Sequence, residues 1–131
     1  MIVSRDVGPF PIDGQPLMLA GAKASLSVSM LPTLLADAQQ YLSTQRDTYR
    51  RQYECIHADD EREIFVVPSD HWETIGDKLE INRRATDAIR RAHVEQFKRS
   101  GTVTDRRDEF ETALEIRTVV IIGTDEADED G

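Results

Sequence analysis

The sequence predicts an α+β fold, a small sheet with about four helices. Two apolar runs and one change of period predict it. Ile64-Phe65-Val66-Val67 is short, β-favouring and ended by Pro68, and Val119-Val120-Ile121-Ile122 is apolar without alternation, so both of its faces should be covered. Elsewhere apolar residues recur at spacings of three, four and seven, the period of helices that bury one face.

Along the chain, Gly8, Pro9, Pro11, Gly14, Pro16 and Gly21 punctuate residues 1–30 and leave two short extended pieces, Leu17 to Leu19 and Leu26 to Met30. In the second, Ser25, Ser27 and Ser29 alternate with Leu26, Val28 and Met30, as in a half-buried strand. Pro32 suits a first helical turn. After it Leu35, Ala38, Leu42, Tyr49 and Tyr53 continue the face of Leu31 in one long helix near residues 31–55. The far half of that helix, Gln45 to Gln52, is polar except for Tyr49.

His57-Ala58-Asp59-Asp60-Glu61-Arg62 reads as a polar turn leading into the strand at Ile64. Asp70, with Glu73 three residues on, is expected to cap a helix holding Trp72, Ile75 and Leu79 by accepting from exposed backbone N–H groups. Asn82 is expected to cap a second helix running to about Arg99 and closed by Gly101. A shorter helical piece from about Asp105 to Leu114 leads into Ile116 to Gly123, expected as the central strand beside Phe65 to Val67. The whole reads as one domain over residues 1–123, with a Gly/Pro-rich extended part at 1–30, and an acidic, apolar-poor tail at 124–131 that should not pack.

The chain has 131 residues, enough for one domain with its own core. No stretch is apolar over the roughly 18–20 residues that span a bilayer, and Met1 to Asp6 lack a basic region followed by an apolar run. The only cysteine, Cys55, rules out an intramolecular disulfide and a cysteine metal cage. A cytoplasmic protein is expected. Its 25 acidic residues oppose 16 basic ones for a formal charge of -9, and only Lys23, Lys78 and Lys98 are lysines. Carboxylates hold water and cations at a surface where salt competes for both, whereas lysine stems are costly to expose where salt strengthens apolar association. In this balance, and in the closing run Asp125-Glu126-Ala127-Asp128-Glu129-Asp130, the chain resembles the small acidic proteins of haloarchaea. The resemblance implies a high-salt cytosol and carries no site.

One segment inverts the charge. Residues 82–99 hold Arg83, Arg84, Arg90, Arg91, Lys98 and Arg99 against Asp87 and Glu95, a formal +4. At about 100 degrees per residue, Arg83, Arg84, Arg90, Arg91 and Lys98 fall on one side of a helix, and Ala85, Ala88, Ile89, Ala92, His93 and Phe97 on the other. Trp72 to Ala92 also resembles a helix-turn-helix unit. Ile75, Leu79 and Ile81 fill its first apolar positions, Asn82 its cap, and Ala85, Ala88 and Ile89 its second seat. That resemblance implies that Arg83, Arg84, Asp87, Arg90 and Arg91 face a DNA groove or phosphates. The turn position usually filled by glycine is Glu80. The other reading of the basic face is docking onto acidic protein surface, since the arginine fork pairs two-toothed with carboxylate.

Catalytic patterns are weak. His57, Asp59, Asp60 and Glu61 suit a solvated turn better than a metal site; Ser69, Asp70 and His71 read as helix-capping residues, and His93 as a core or interface histidine. Cys55 reads as a small packed side chain. No phosphate-cradling glycine loop is present. The expectation is a non-catalytic protein-protein interaction or assembly module, a subunit of a larger complex or virus particle, with no cofactor, metal or small-molecule substrate. Tyr41, Tyr49 and Tyr53 are its candidate interface aromatics. The alternative is a small helix-turn-helix transcriptional regulator, with nucleic acid the second choice of partner.

Overall fold

The computed structural model describes residues 11–23 and 30–124. In chain order these form helices α1 (Gly14–Lys23), α2 (Met30–Thr44) and α3 (Arg46–Gln52), strands β1 (Glu54–Ala58) and β2 (Arg62–Pro68), helices α4 (His71–Leu79), α5 (Arg83–Val103) and α6 (Arg107–Ala113), and strand β3 (Arg117–Gly123). The fold is α+β, with six helices rather than about four among the described residues. All strand pairs are antiparallel in the order β1-β2-β3.

Leu17 to Leu19, expected extended, lie in α1. The Asp13 carbonyl accepts the Leu17 N–H at 3.1 Å and starts the helix. Pro16 falls in the first turn, where a missing N–H costs nothing. Pro16 and Ala20 are buried, and the helix packs chiefly against α5. Of the strand expected at Leu26 to Met30, residues up to Ser29 lie outside the described residues, and Met30 opens α2. The acidic tail likewise lies outside them beyond Thr124.

The single long helix over 31–55 divides in two and stops early. Gln45 donates back only three residues, to Leu42, so the turn tightens there before α3 begins. In α3 only Tyr49 is buried, so one apolar anchor holds this polar helix, beside the polar ties of Arg46 and Arg50. Tyr53 is extended (φ -126, ψ 157), and the chain then pairs with β2 instead of continuing as helix.

At α4, Asp70 stands at the cap position but its side chain makes no capping hydrogen bond, because its backbone (φ -97, ψ 7) is not the extended geometry that aims the carboxylate at N2 or N3. Asn82 does cap α5, its Oδ1 accepting from Ala85 at 2.8 Å. Gly101 does not close α5, which runs two residues further. Gly101 is buried against Phe110, and the closing left-handed position is Asp105 (φ 60), with Arg106 N–H reaching the Gly101 carbonyl at 2.8 Å.

The central strand is β2, and β3 pairs on one side only. Both are nonetheless buried. Cross-strand partners share a face, so Phe65 and Val120 lie on one face with Glu63 and Ile122, and Ile64 and Ile121 on the other with Val66 and Val119. Helix α3 covers the first face: the Tyr49 ring stands 5.7 Å from Phe65, and Arg50 grips Glu63 with both arms of its guanidinium. The second face meets α5, α6 and the segment before α1. There His57 faces Phe110, and Arg62 donates to the Pro11 carbonyl and to Asp13.

The outer edge of β3 is sealed by side chains. Trp72 Nε1 donates to the Val119 carbonyl at 2.9 Å, and His93 Nδ1 accepts the Ile121 N–H at 3.0 Å. Gln39 donates to the Ile121 carbonyl at 2.7 Å and accepts from the Gly123 N–H at 3.0 Å, and Arg46 donates to the Gly123 carbonyl at 2.6 Å. Four helical residues thus supply the hydrogen bonds that a further strand would have made.

Candidate functional site

The α4–α5 pair holds the basic segment, and its geometry begins at a close approach. A Cβ on Gly76 would lie 2.4 Å from Thr86 Oγ1, so α4 can cross α5 this tightly only because position 76 lacks a side chain. Thr86 Oγ1 itself donates to the Asn82 carbonyl at 2.9 Å. The connecting turn is short and is made by Glu80 in the left-handed region (φ 57, ψ 45), with Ile81 N–H reaching the Gly76 carbonyl at 3.1 Å. A non-glycine residue therefore adopts the conformation that glycine would take most cheaply.

The basic face itself splits into two parts. Asp87 accepts from Arg90 Nε and Nη2 at 3.2 and 2.7 Å and from Arg91 Nε at 2.8 Å, so these two arginines are held by their own helix. Burial alone would raise the Asp87 carboxyl, but the hydrogen bonds and charges of Arg90 and Arg91 outweigh it and hold it below the usual range. Arg99 is tied to Asp13 at 2.9 Å and to Gln15 at 3.0 Å. Arg83, Arg84 and Lys98 are exposed and have no ion-pair partner among the described residues.

Arg83 and Arg84 occupy the first turn of α5, which contains no acidic residue. The helix macrodipole is positive there, so each charge costs about 0.3–1 kcal/mol relative to a neutral residue. Helix stability does not account for two arginines at this end.

The three tyrosines occupy different depths. Tyr41 and Tyr53 are half-buried, but Tyr49 is only 4% exposed and belongs to the core. Its hydroxyl shares a 2.5 Å hydrogen bond with His71 Nε2, and Tyr53 packs its ring edgewise on the same imidazole. Burial first, then the neighbouring Tyr41 and Tyr53, push the Tyr49 hydroxyl well above its ordinary value, so it stays protonated and donates. Burial also lowers His71. The His71–Tyr49 link was not legible from sequence, because it joins the first turn of α4 to the middle of α3.

Of the remaining candidates, His57 and Asp59 pair at 2.9 Å within the β1–β2 turn, where Asp59 Oδ1 also accepts the N–H groups of Glu61 and Arg62. That is a local turn of the kind aspartate builds. Cys55, expected to be packed, is exposed on the edge strand β1, because the helix expected to contain it has ended. Partial burial, with the Glu63 charge adding to it, pushes its thiol up. His93 is fully buried and neutral; desolvation pushes it down to about 3. Among the described residues no three of His, Cys, Asp and Glu come together as a metal would require, and no helix is long and apolar enough to cross a membrane.

No curated protein and no solved structure matches the chain. A family profile matches residues 10–124, a span that contains every described residue, and the chain therefore belongs to the family described as a domain of unknown function, DUF8048.

Proposed function

We propose that the chain is a non-catalytic interaction module of a salt-adapted organism, a subunit of a larger assembly, that docks acidic protein surface on the Arg83–Arg84 end of α5. The observation that carries this reading is the pair of exposed arginines, without an ion-pair partner among the described residues, in a helix turn where positive charge is unfavourable. At helices α3, α5 and α6 the chain neutralises several arginines with carboxylate, as in Arg50–Glu63, Arg90–Asp87, Arg99–Asp13 and Arg106–Glu109, while exposed Arg51 and Arg117, like Arg83 and Arg84, have no ion-pair partner among the described residues. A partner's carboxylates would complete the same pattern at the first turn of α5, where two adjacent arginines stand open among the described residues. The arginine fork keeps part of its advantage in strong salt, since it makes two short hydrogen bonds to one carboxylate rather than a diffuse attraction.

A second reading is a helix-turn-helix regulator. It is favoured by the short α4–α5 turn, the left-handed Glu80 and the Gly76–Thr86 contact, which together support a helix pair able to present the start of α5 to a groove. The salt slope of phosphate contacts weakens this reading in a high-salt cytosol.

Size-exclusion chromatography with light scattering in about 2 M KCl, where the Debye length is below about 3 Å, separates the two. The chain is run with and without mixed genomic DNA fragments, against Arg83→Glu/Arg84→Glu. An assembly that forms without DNA and that the double change dissociates supports the module. Co-migration with DNA that the double change abolishes supports the regulator.

A further inference from the structure

Beside the basic end of α5 lies a stripe of the opposite sign. Glu73, Asp77 and Glu80 are spaced by four and three residues, so they line one side of α4 and its closing turn. All three are exposed, and none has an ion-pair partner among the described residues. Only Ile81 and Asn82 separate Glu80 from Arg83. The chain thus carries, across one tight turn, three open carboxylates and two open guanidiniums. Leu79 and Ile81, each half-buried, sit at the join between them.

A surface that is acidic on one side of a centre and basic on the other is complementary to itself after a half-turn. A two-fold axis through the Glu80–Asn82 turn brings the acidic side of one copy over the basic side of the other, twice over. That is the self-matching arrangement on which two-fold dimers depend. We infer that the partner of the α4–α5 surface is a second copy of this chain, with Glu73, Asp77 and Glu80 of each copy receiving Arg83 and Arg84 of the other. The inference rests on the reading of α5 as a protein-docking surface and names its occupant.

Charge complementarity makes this choice rather than apolar area. An exposed ion pair is weak on its own, but a two-fold repeat places every pair twice. It also removes the first-turn penalty of Arg83 and Arg84 in both copies. The Gly76–Thr86 contact fixes the two helices against each other, so the charged sides keep their relative placement before the copies meet.

The test is a charge swap. Arg83→Glu/Arg84→Glu makes both sides of the surface acidic, and Glu73→Arg/Asp77→Arg/Glu80→Arg makes both basic. Each variant alone should run as a monomer by light scattering, with a native circular dichroism spectrum, at concentrations where the wild type runs at twice the monomer mass. An equimolar mixture of the two should return to the doubled mass, because both contacts then pair opposite charges. Self-association of each variant alone should weaken at least tenfold. A mixture that stays monomeric, or a wild type that is monomeric throughout, overturns the self-pairing. The wider docking reading has its own readout. Retention of the wild type on immobilised poly-glutamate, lost in Arg83→Glu/Arg84→Glu, keeps that reading even where self-pairing fails, and absence of retention together with a monomeric wild type overturns both.

Discussion

His93 Nδ1 accepts the backbone N–H of Ile121 at 3.0 Å, which fixes the imidazole of a helix against the outer edge of a strand. To accept there, Nδ1 must carry no proton. Nε2 then holds the ring proton inside the core, where it has no hydrogen-bond partner among the described residues. The Trp72 ring lies edgewise on the imidazole at 4.7 Å, and Trp72 seals the neighbouring Val119 carbonyl.

A pH dependence follows. His93 sits at about 3 in the fold, against 6.5 unfolded, and His71 is lowered in the same direction. The unfolded chain therefore binds more protons between these values, and stability falls as the pH is lowered through that window. The contribution is whole above about pH 6.5 and is lost progressively toward the folded value. Urea midpoints measured at pH 7 and pH 5 should fall between the two. His93→Leu should lower the midpoint at pH 7, corresponding to a stability loss of about 1–3 kcal/mol for the orphaned Ile121 N–H, and should flatten the pH slope.

Gln39 seals two backbone groups at once, the Ile121 carbonyl and the Gly123 N–H. Gln39→Met keeps most of its volume and removes both bonds. It should destabilise by about 1–3 kcal/mol for each group left without a partner. Hydrogen exchange should show the loss first at Gly123.

The Gly76 approach gives a coupled pair. Gly76→Ala gains helix propensity of about 1 kcal/mol but drives a methyl into Thr86 Oγ1, whose hydrogen bond to Asn82 resists the shift. Overpacking of this kind costs about 1–3 kcal/mol, so the single change should be net destabilising. Adding Thr86→Ala should recover part of the loss, and a double-mutant cycle by denaturant unfolding should show the non-additivity.

At Glu80 the sign reverses. A left-handed non-glycine residue carries a strain of about 1–2 kcal/mol, so Glu80→Gly should raise the thermal midpoint despite the greater freedom glycine gives the unfolded chain. The matched change Lys78→Gly, two residues earlier on an exposed helical position, should instead destabilise by about 1 kcal/mol and lower the midpoint.

Local signals were legible in the sequence and long-range ones were not. The runs Ile64–Val67 and Val119–Ile122 became adjacent strands as expected, and Asn82 caps its helix, because an apolar run before proline and an Asx cap each depend on near neighbours. The apolar spacing of Tyr49 and Tyr53 suggested one helix through residue 55. Tyr49 is in fact the single buried side chain of α3, and its partners, Phe65 and His71, come from β2 and α4. The unalternating run of β3 indicated burial correctly and centrality wrongly. Side chains of Gln39, Arg46, Trp72 and His93 occupy the place of a fourth strand, and no pattern within β3 announces them. On α5 the charge inversion was plain, but its division was not. Asp87 sits at the right spacing to claim Arg90 and Arg91, and that spacing was the available signal.

The order of the strands has a consequence for synthesis on the ribosome. β2 is the middle of the sheet, yet one of its neighbours is β1, next to it in the chain, and the other is β3, which emerges only after the whole stretch from Ser69 to Ile116. Until then a nascent chain holds a two-stranded hairpin whose most apolar strand shows an unpaired edge. Such an edge is a template for pairing with other chains. Helices α4 and α5 are made in that interval, and they carry Trp72 and His93, whose hydrogen bonds meet the far edge of β3 rather than the open edge of β2. Slow translation through Ser69 to Ile116 would therefore lengthen the time the hairpin edge stands open.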